Sequence, residues 1–207
     1  MLISIVAFVI FIAIQILPIV LYQKNKENKT IENFINYMLI LYLIGSIVLS
    51  ILVLINKEVL QFNYQLLRIE LLYCILGLLG IQVVAHYIKA TILKTKDEFK
   101  DTLDVIGLIE ENPVFVIVPV ALVPVIEEIV FRFFLMNAIP NVYLAVIISS
   151  LIFAIVHSSK DRVSLFFIGL VLAIVYVTTS SILIPIVSHM IMNLCVVIYV
   201  KAKHKCA

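Results

Sequence analysis

PVFVIVPVALVPVIEEIVFRFFLM (113–136) is the stretch that decides the fold. It is long and apolar enough to cross a bilayer, yet it carries Glu127, Glu128 and Arg132. A charged side chain at mid-bilayer costs at least ~2.5–3.5 kcal/mol on insertion scales, so such groups face a bundle interior and have partners there. The stretch therefore reads as an inner helix of an all-α, polytopic membrane bundle. The whole chain agrees: 64% of its 207 residues are apolar and 14% charged, with a mean hydropathy of +1.20. Soluble domains are closer to half apolar and a quarter charged.

About seven membrane helices are expected, at roughly 2–22, 34–55, 69–92, 113–136, 142–158, 163–179 and 182–200. An eighth could lie in the amphipathic stretch DTLDVIGLIEE (101–111). The first span has no basic n-region and no small-residue cleavage site before QKNKENK, so it reads as a retained helix rather than a signal peptide. Twelve Lys and Arg follow spans one, three, five and seven: Lys24, Lys26, Lys29, Lys89, Lys94, Lys96, Lys100, Lys160, Arg162, Lys201, Lys203 and Lys205. Only Lys57 and Arg68 lie on the opposite side. Short Lys- and Arg-rich loops stay cytoplasmic, so the amino terminus is expected outside and the carboxyl terminus inside. Three regions follow: membrane helices without a signature (1–112), a core carrying the buried polar residues (113–200) and a basic tail (201–207).

Within that core, Glu128 and Arg132 are four apart and share a helical face. Glu127 is turned about 100° from Glu128, which leaves one carboxylate neutralised and the other available. Two later spans supply further polar groups. FAIVH (153–157) puts His157 on the face of Phe153, and HMIMN (189–193) puts His189 and Asn193 on one face. A Glu, two His and an Asn in apolar helices can deprotonate a water with Glu127 as general base. They can stabilise an oxyanion, or bind a divalent metal such as zinc through Glu127, His157 and His189. With straight helices His157 falls several ångströms cytoplasmic of Glu127 and His189, a mismatch that helix tilt can absorb. Pro119, Pro124 and Pro185 read as kinks, and carbonyls freed near Pro124 could open space for water or a substrate backbone.

EEIVFR, FAIVH and HMIMN in this order resemble the EExxxR, FxxxH and HxxxN motifs of the CPBP family, also called Abi. These are intramembrane proteases related to CAAX-processing endopeptidases and to bacteriocin-processing or self-immunity proteins. The resemblance covers residues 113–200. It implies that Glu127 activates the attacking water with His157 helping to hold it. It also implies that His189 and Asn193 stabilise the oxyanion or complete the site, and that Glu128 and Arg132 are a structural pair. It leaves both a metal-free chemistry and a divalent metal open.

An intramembrane endopeptidase acting on a membrane-associated protein or peptide precursor is thus the expected function. In a bacterial plasma membrane, which the Ile-, Asn- and Lys-rich composition favours, the substrate would be a bacteriocin or pheromone precursor. The alternatives are a non-catalytic immunity or scaffold protein, or a small transporter with a Glu and His proton relay. The bilayer is the expected surrounding and nucleic acid is not an expected partner. Cys74, Cys195 and Cys206 show no disulfide or zinc spacing. His86 reads as an interface residue, His204 belongs to the basic tail, and the terminal KCA is not a prenylation box.

Overall fold

The computed structural model describes residues 2–24, 30–55, 69–88, 100–157 and 162–205. The described residues are helical and contain no strand. Eight helices follow one another: α1 (Leu2–Lys24), α2 (Ile31–Ile55), α3 (Ile69–Ile88), α4 (Lys100–Glu111), α5 (Pro113–Leu135), α6 (Val142–Val156), α7 (Arg162–Thr179) and α8 (Leu183–Lys205). Six of them are long and apolar enough to cross a membrane, and α6 is a shorter apolar helix. Lys26, Lys29, Lys57, Arg68, Lys89, Lys94, Lys96, Lys160 and Cys206 lie outside the described residues.

The eighth helix left open by the sequence exists as α4, but its 12 residues reach only ~18 Å at 1.5 Å each, well short of a ~30 Å hydrocarbon core. It turns Ile106 and Ile109 inward and keeps Leu103 and Glu110 outward. The seven expected segments correspond to the six long apolar helices and the shorter α6. Residues 201–205 of the basic tail continue α8 without a break.

Side-chain caps set several boundaries. Asn112 accepts from the Val114 amide and Pro113 opens α5; Asn141 accepts from the Tyr143 and Leu144 amides at 3.0 and 3.1 Å and opens α6. Both satisfy donors that a helix start leaves orphaned. Between α7 and α8 the turn is short because Ser180 takes a positive φ of 51°.

α5 is the inner helix. Half of its apolar span is buried, against 17% in α3, whose outward face is left for lipid. It touches α1, α2, α6, α7 and α8, and Phe131, Arg132, Glu128 and Ile126 are wholly enclosed. It is not a uniform helix. After an opening 3₁₀ turn it widens to π geometry at Val118–Leu122, tightens to α at Val123–Glu128, and widens again at Ile129–Leu135. Pro119 and Pro124 remove two amide donors from this stretch, which is where a helix changes pitch.

α6 and α7 form the closest pair. A Cβ on Gly169 would lie 3.1 Å from the Ser150 Cα and 3.3 Å from a Phe153 ring carbon. Small residues let membrane helices approach in this way. Gly169→Val should force α6 outward and cost ~1–3 kcal/mol, the usual range for overpacking. Thermal unfolding of the purified protein in detergent is the check, with a parallel loss of any function that depends on Phe153.

Candidate active site

The polar residues of α5, α6 and α8 meet in one place. Glu128 Oε2 lies 3.1 Å from Arg132 Nε, with both side chains wholly buried. Glu128 Oε1 lies 2.9 Å from His189 Nδ1 on α8. One carboxylate is therefore held from both sides, by a guanidinium one turn further on and by an imidazole 61 residues away.

Arg132 is pinned from α6 as well. Its Nη1 donates to Ser149 Oγ at 3.3 Å, and Ser149 Oγ donates to the Phe131 carbonyl at 3.0 Å. The guanidinium carbon sits 4.9 Å from the Phe153 ring centre, a cation–π distance. Ser149, Phe153 and His157 are spaced by four along α6, so one helical face supplies all three. Ser149 went unremarked in the sequence, although its place one turn before Phe153 marked it.

Glu127 points elsewhere. It is 4% exposed, with Oε1 3.3 Å from His157 Nε2 and Oε2 3.9 Å from His189 Nε2. Both imidazoles are oriented through their other nitrogen. His157 Nδ1 is 2.6 Å from the Phe153 carbonyl, so it carries a proton and donates. His189 Nδ1 donates to Glu128 in the same manner. In the neutral tautomers this leaves both Nε2 lone pairs turned toward Glu127. The Phe153 ring lies between the two, 4.6 Å from the His157 ring and 6.1 Å from the His189 ring.

The depth mismatch expected for His157 does not keep it from the site: its Nε2 reaches Glu127 at 3.3 Å. His157 stands at the end of α6, where the backbone turns extended (φ −78°, ψ 132°).

Asn193 is placed differently from the other three. Its Nδ2 donates to the Pro119 carbonyl at 2.8 Å. The first π stretch explains why that carbonyl is available. The Val123 amide bonds Val118 O, five residues back; the matching donor for Pro119 O would be residue 124, which is proline and has no N–H. Asn193 supplies the missing bond and ties α8 to the widened turn just ahead of the glutamates.

Glu127, His157 and His189 have the chemistry of a zinc donor set. Among the described residues, however, no three His, Cys, Asp or Glu side chains form a group able to hold a metal ion.

A cavity of about 410 Å³ opens onto Glu127 and His157, lined further by Val156 of α6 and by Phe11, Ile12, Gln15 and Ile16 of α1. Gln15 accepts from the Tyr42 hydroxyl at 2.7 Å. The sequence reading passed over both residues; the signal was a lone amide in the apolar run FVIFIAIQILPIV (8–20).

Residues 109–195, which hold the whole cluster, match the family described as type II CAAX prenyl endopeptidase Rce1-like. The chain is 32% identical to YdiL of Bacillus subtilis (strain 168), a membrane peptidase by designation only, over 73% of the chain and 66% of YdiL, just under two thirds of its length. It is 24% identical to the membrane-embedded CAAX protease MroQ of Staphylococcus aureus (strain USA300), over 95% of the chain and 88% of MroQ. No solved structure matches the chain.

The Pro119–Asn193 bond makes a prediction of its own. Asn193→Ala leaves a carbonyl unpaired and should cost ~1–3 kcal/mol. Pro124→Ala restores an amide that can reach Pro119 O, so the double variant should lose less than the sum of the two changes. A double-mutant cycle on thermal stability reads this coupling.

Proposed function

The chain belongs to the Rce1-like CPBP family, and from that premise we propose that it is an intramembrane endopeptidase in which Glu127 activates water. One observation carries the reading: two imidazole Nε2 atoms, each held by its own second nitrogen, converge on the one carboxylate that Arg132 does not neutralise. Such an arrangement suits proton transfer, because Glu127 and both imidazoles can accept and return a proton without moving.

The mechanism follows from the distances. The 3.9 Å between Glu127 Oε2 and His189 Nε2 is too long for a direct hydrogen bond and suits a water held against both. That water gives a proton to Glu127 as its oxygen forms a bond to the scissile carbonyl carbon. The carbonyl oxygen becomes an oxyanion; Glu127 passes the proton to His157 Nε2, 3.3 Å away, which donates it to the oxyanion and returns it to Glu127 as the intermediate collapses. The proton on Glu127 then passes to the amide nitrogen as the carbon–nitrogen bond breaks. A carboxylic acid and an amine leave. In a site this buried each electrostatic contact is stronger than in water. Glu128 and Arg132 act as support, and Asn193 acts through the backbone of α5.

The substrate is a membrane-associated protein or peptide precursor, processed as CAAX proteins or secreted bacteriocin and pheromone precursors are. The protein sits in a bacterial plasma membrane with its amino terminus outside, since seven crossings then keep twelve of the fifteen basic residues cytoplasmic.

Cells carrying the wild-type chain or Glu127→Gln, matched for expression, should differ in specific new peptide and protein termini by mass spectrometry. Those termini vanish with the variant; identical profiles would leave a binding or immunity role. On a peptide spanning such a terminus, His157→Ala and His189→Ala should each slow cleavage roughly 10²–10⁴-fold. A carboxyl-terminal alkaline phosphatase fusion should be inactive and a green fluorescent protein fusion bright; the reverse would invert the topology.

A further inference from the structure

α1 and α2 carry none of the three motifs, yet α1 places an amide at the cavity and α2 holds it there. Gln15 lines it together with Glu127 and His157. Tyr42, 4% exposed, donates its hydroxyl to Gln15 Oε1 at 2.7 Å. The amide is planar, so engaging Oε1 fixes its orientation and leaves Nε2, with two donors, as the end available to the cavity. Hydrogen-bonding glue between helices could be placed anywhere along their contact. Gln15, held by Tyr42, instead lines the same cavity as Glu127 and His157.

The rest of the lining says what arrives there. Ile12, Ile16 and Val156 are 43, 53 and 43% exposed, so the outer wall of the cavity is apolar and faces lipid. α1 packs on α2 and on the second π stretch of α5, while α6 packs chiefly on α7. The cavity is the seam between α1 and α6. A peptide segment coming through this seam must first be extended, because a helix shields its own carbonyls from attack. Extending it strips carbonyls of their partners, and in lipid each unpaired group costs several kcal/mol. A fixed donor in the wall offsets part of that cost at the residue beside the scissile bond.

We propose that Gln15, oriented by Tyr42, is a substrate-positioning residue whose Nε2 donates to a main-chain carbonyl of an extended, apolar peptide, with Ile12, Ile16 and Val156 receiving its neighbouring side chain. The proposal rests on the endopeptidase reading for its purpose, but not for its measurement.

The test uses the full chain in lipid nanodiscs and a fluorescein-labelled trileucine aldehyde, with Kd read by fluorescence anisotropy. Wild type binds the probe. Gln15→Met, which keeps length and removes the donors, should raise Kd about tenfold, and Tyr42→Phe, which frees the amide to rotate, about threefold. Gln82→Met, an equivalent change on α3 away from the cavity, should leave Kd unchanged. Gln15→Met strands the buried Tyr42 hydroxyl and should lower the melting temperature, so Kd is read well below it; adding Tyr42→Phe should restore the melting temperature and leave the tenfold loss of binding in place. Gln15→Glu, an acceptor of the same shape, should not restore binding. The proposal is overturned if wild type does not bind the probe, if Gln15→Met binds as wild type does, or if its loss of binding merely follows a loss of stability. Failure of the endopeptidase reading would instead show as unchanged termini in the Glu127→Gln cells, with the Gln15 contrast intact.

Discussion

The buried Glu128–Arg132 pair is the constraint around which the bundle is arranged. Taking a carboxylate and a guanidinium out of water costs several kcal/mol per ion even after relaxation, and the attraction between them repays it only when the remaining hydrogen-bonding positions are also filled. Here they are filled in part from other helices, by Ser149 and the Phe153 ring from α6 and by His189 from α8, while Arg132 Nη2 has no hydrogen-bond partner among the described residues. Each contact that compensates the pair also sets where a neighbouring helix stands. A buried ion pair is weak evidence for stability, but in this bundle it registers three helices against one another.

That registration separates the two adjacent carboxylates. Glu128 is used up by the contacts that hold the structure together, and Glu127, one residue earlier, faces the two imidazoles and the cavity. His189 links the two halves, since its Nδ1 is on Glu128 and its Nε2 is turned to Glu127. The support and the chemistry therefore share a residue. Removing Glu128 would disturb the orientation of His189 as well as leave Arg132 without its carboxylate.

The irregularity of α5 serves the same end. Two prolines five residues apart strip the helix of donors and give it a wide turn, a tight turn and a second wide turn. Backbone of this kind is tolerated at membrane depth only where it is enclosed by protein or lines a cavity. α8 encloses the first wide turn through Asn193, and α1 and α6 pack on the second. The end of α6 completes the arrangement, because its backbone turns extended at His157 and the imidazole there meets Glu127.

Much of this was present in the residues themselves. Long apolar runs determine membrane helices because the backbone must satisfy its own hydrogen bonds in lipid, and the seven expected segments correspond to six helices long enough to cross and the shorter α6. Helical periodicity alone set Glu128 with Arg132 and turned Glu127 away from them. What a period cannot supply is the register of one helix against another, which depends on side-chain packing across contacts as far apart in sequence as Asn193 and Pro119. Only the tertiary structure decided that both imidazoles present Nε2 to one carboxylate, that Asn193 completes a proline-broken helix, and that α4 is too short to cross. It alone brought Gln15, held by Tyr42 and like it from a helix that reads as generic, to the cavity at Glu127. Local sequence determines which face of a helix is polar; packing determines what that face meets.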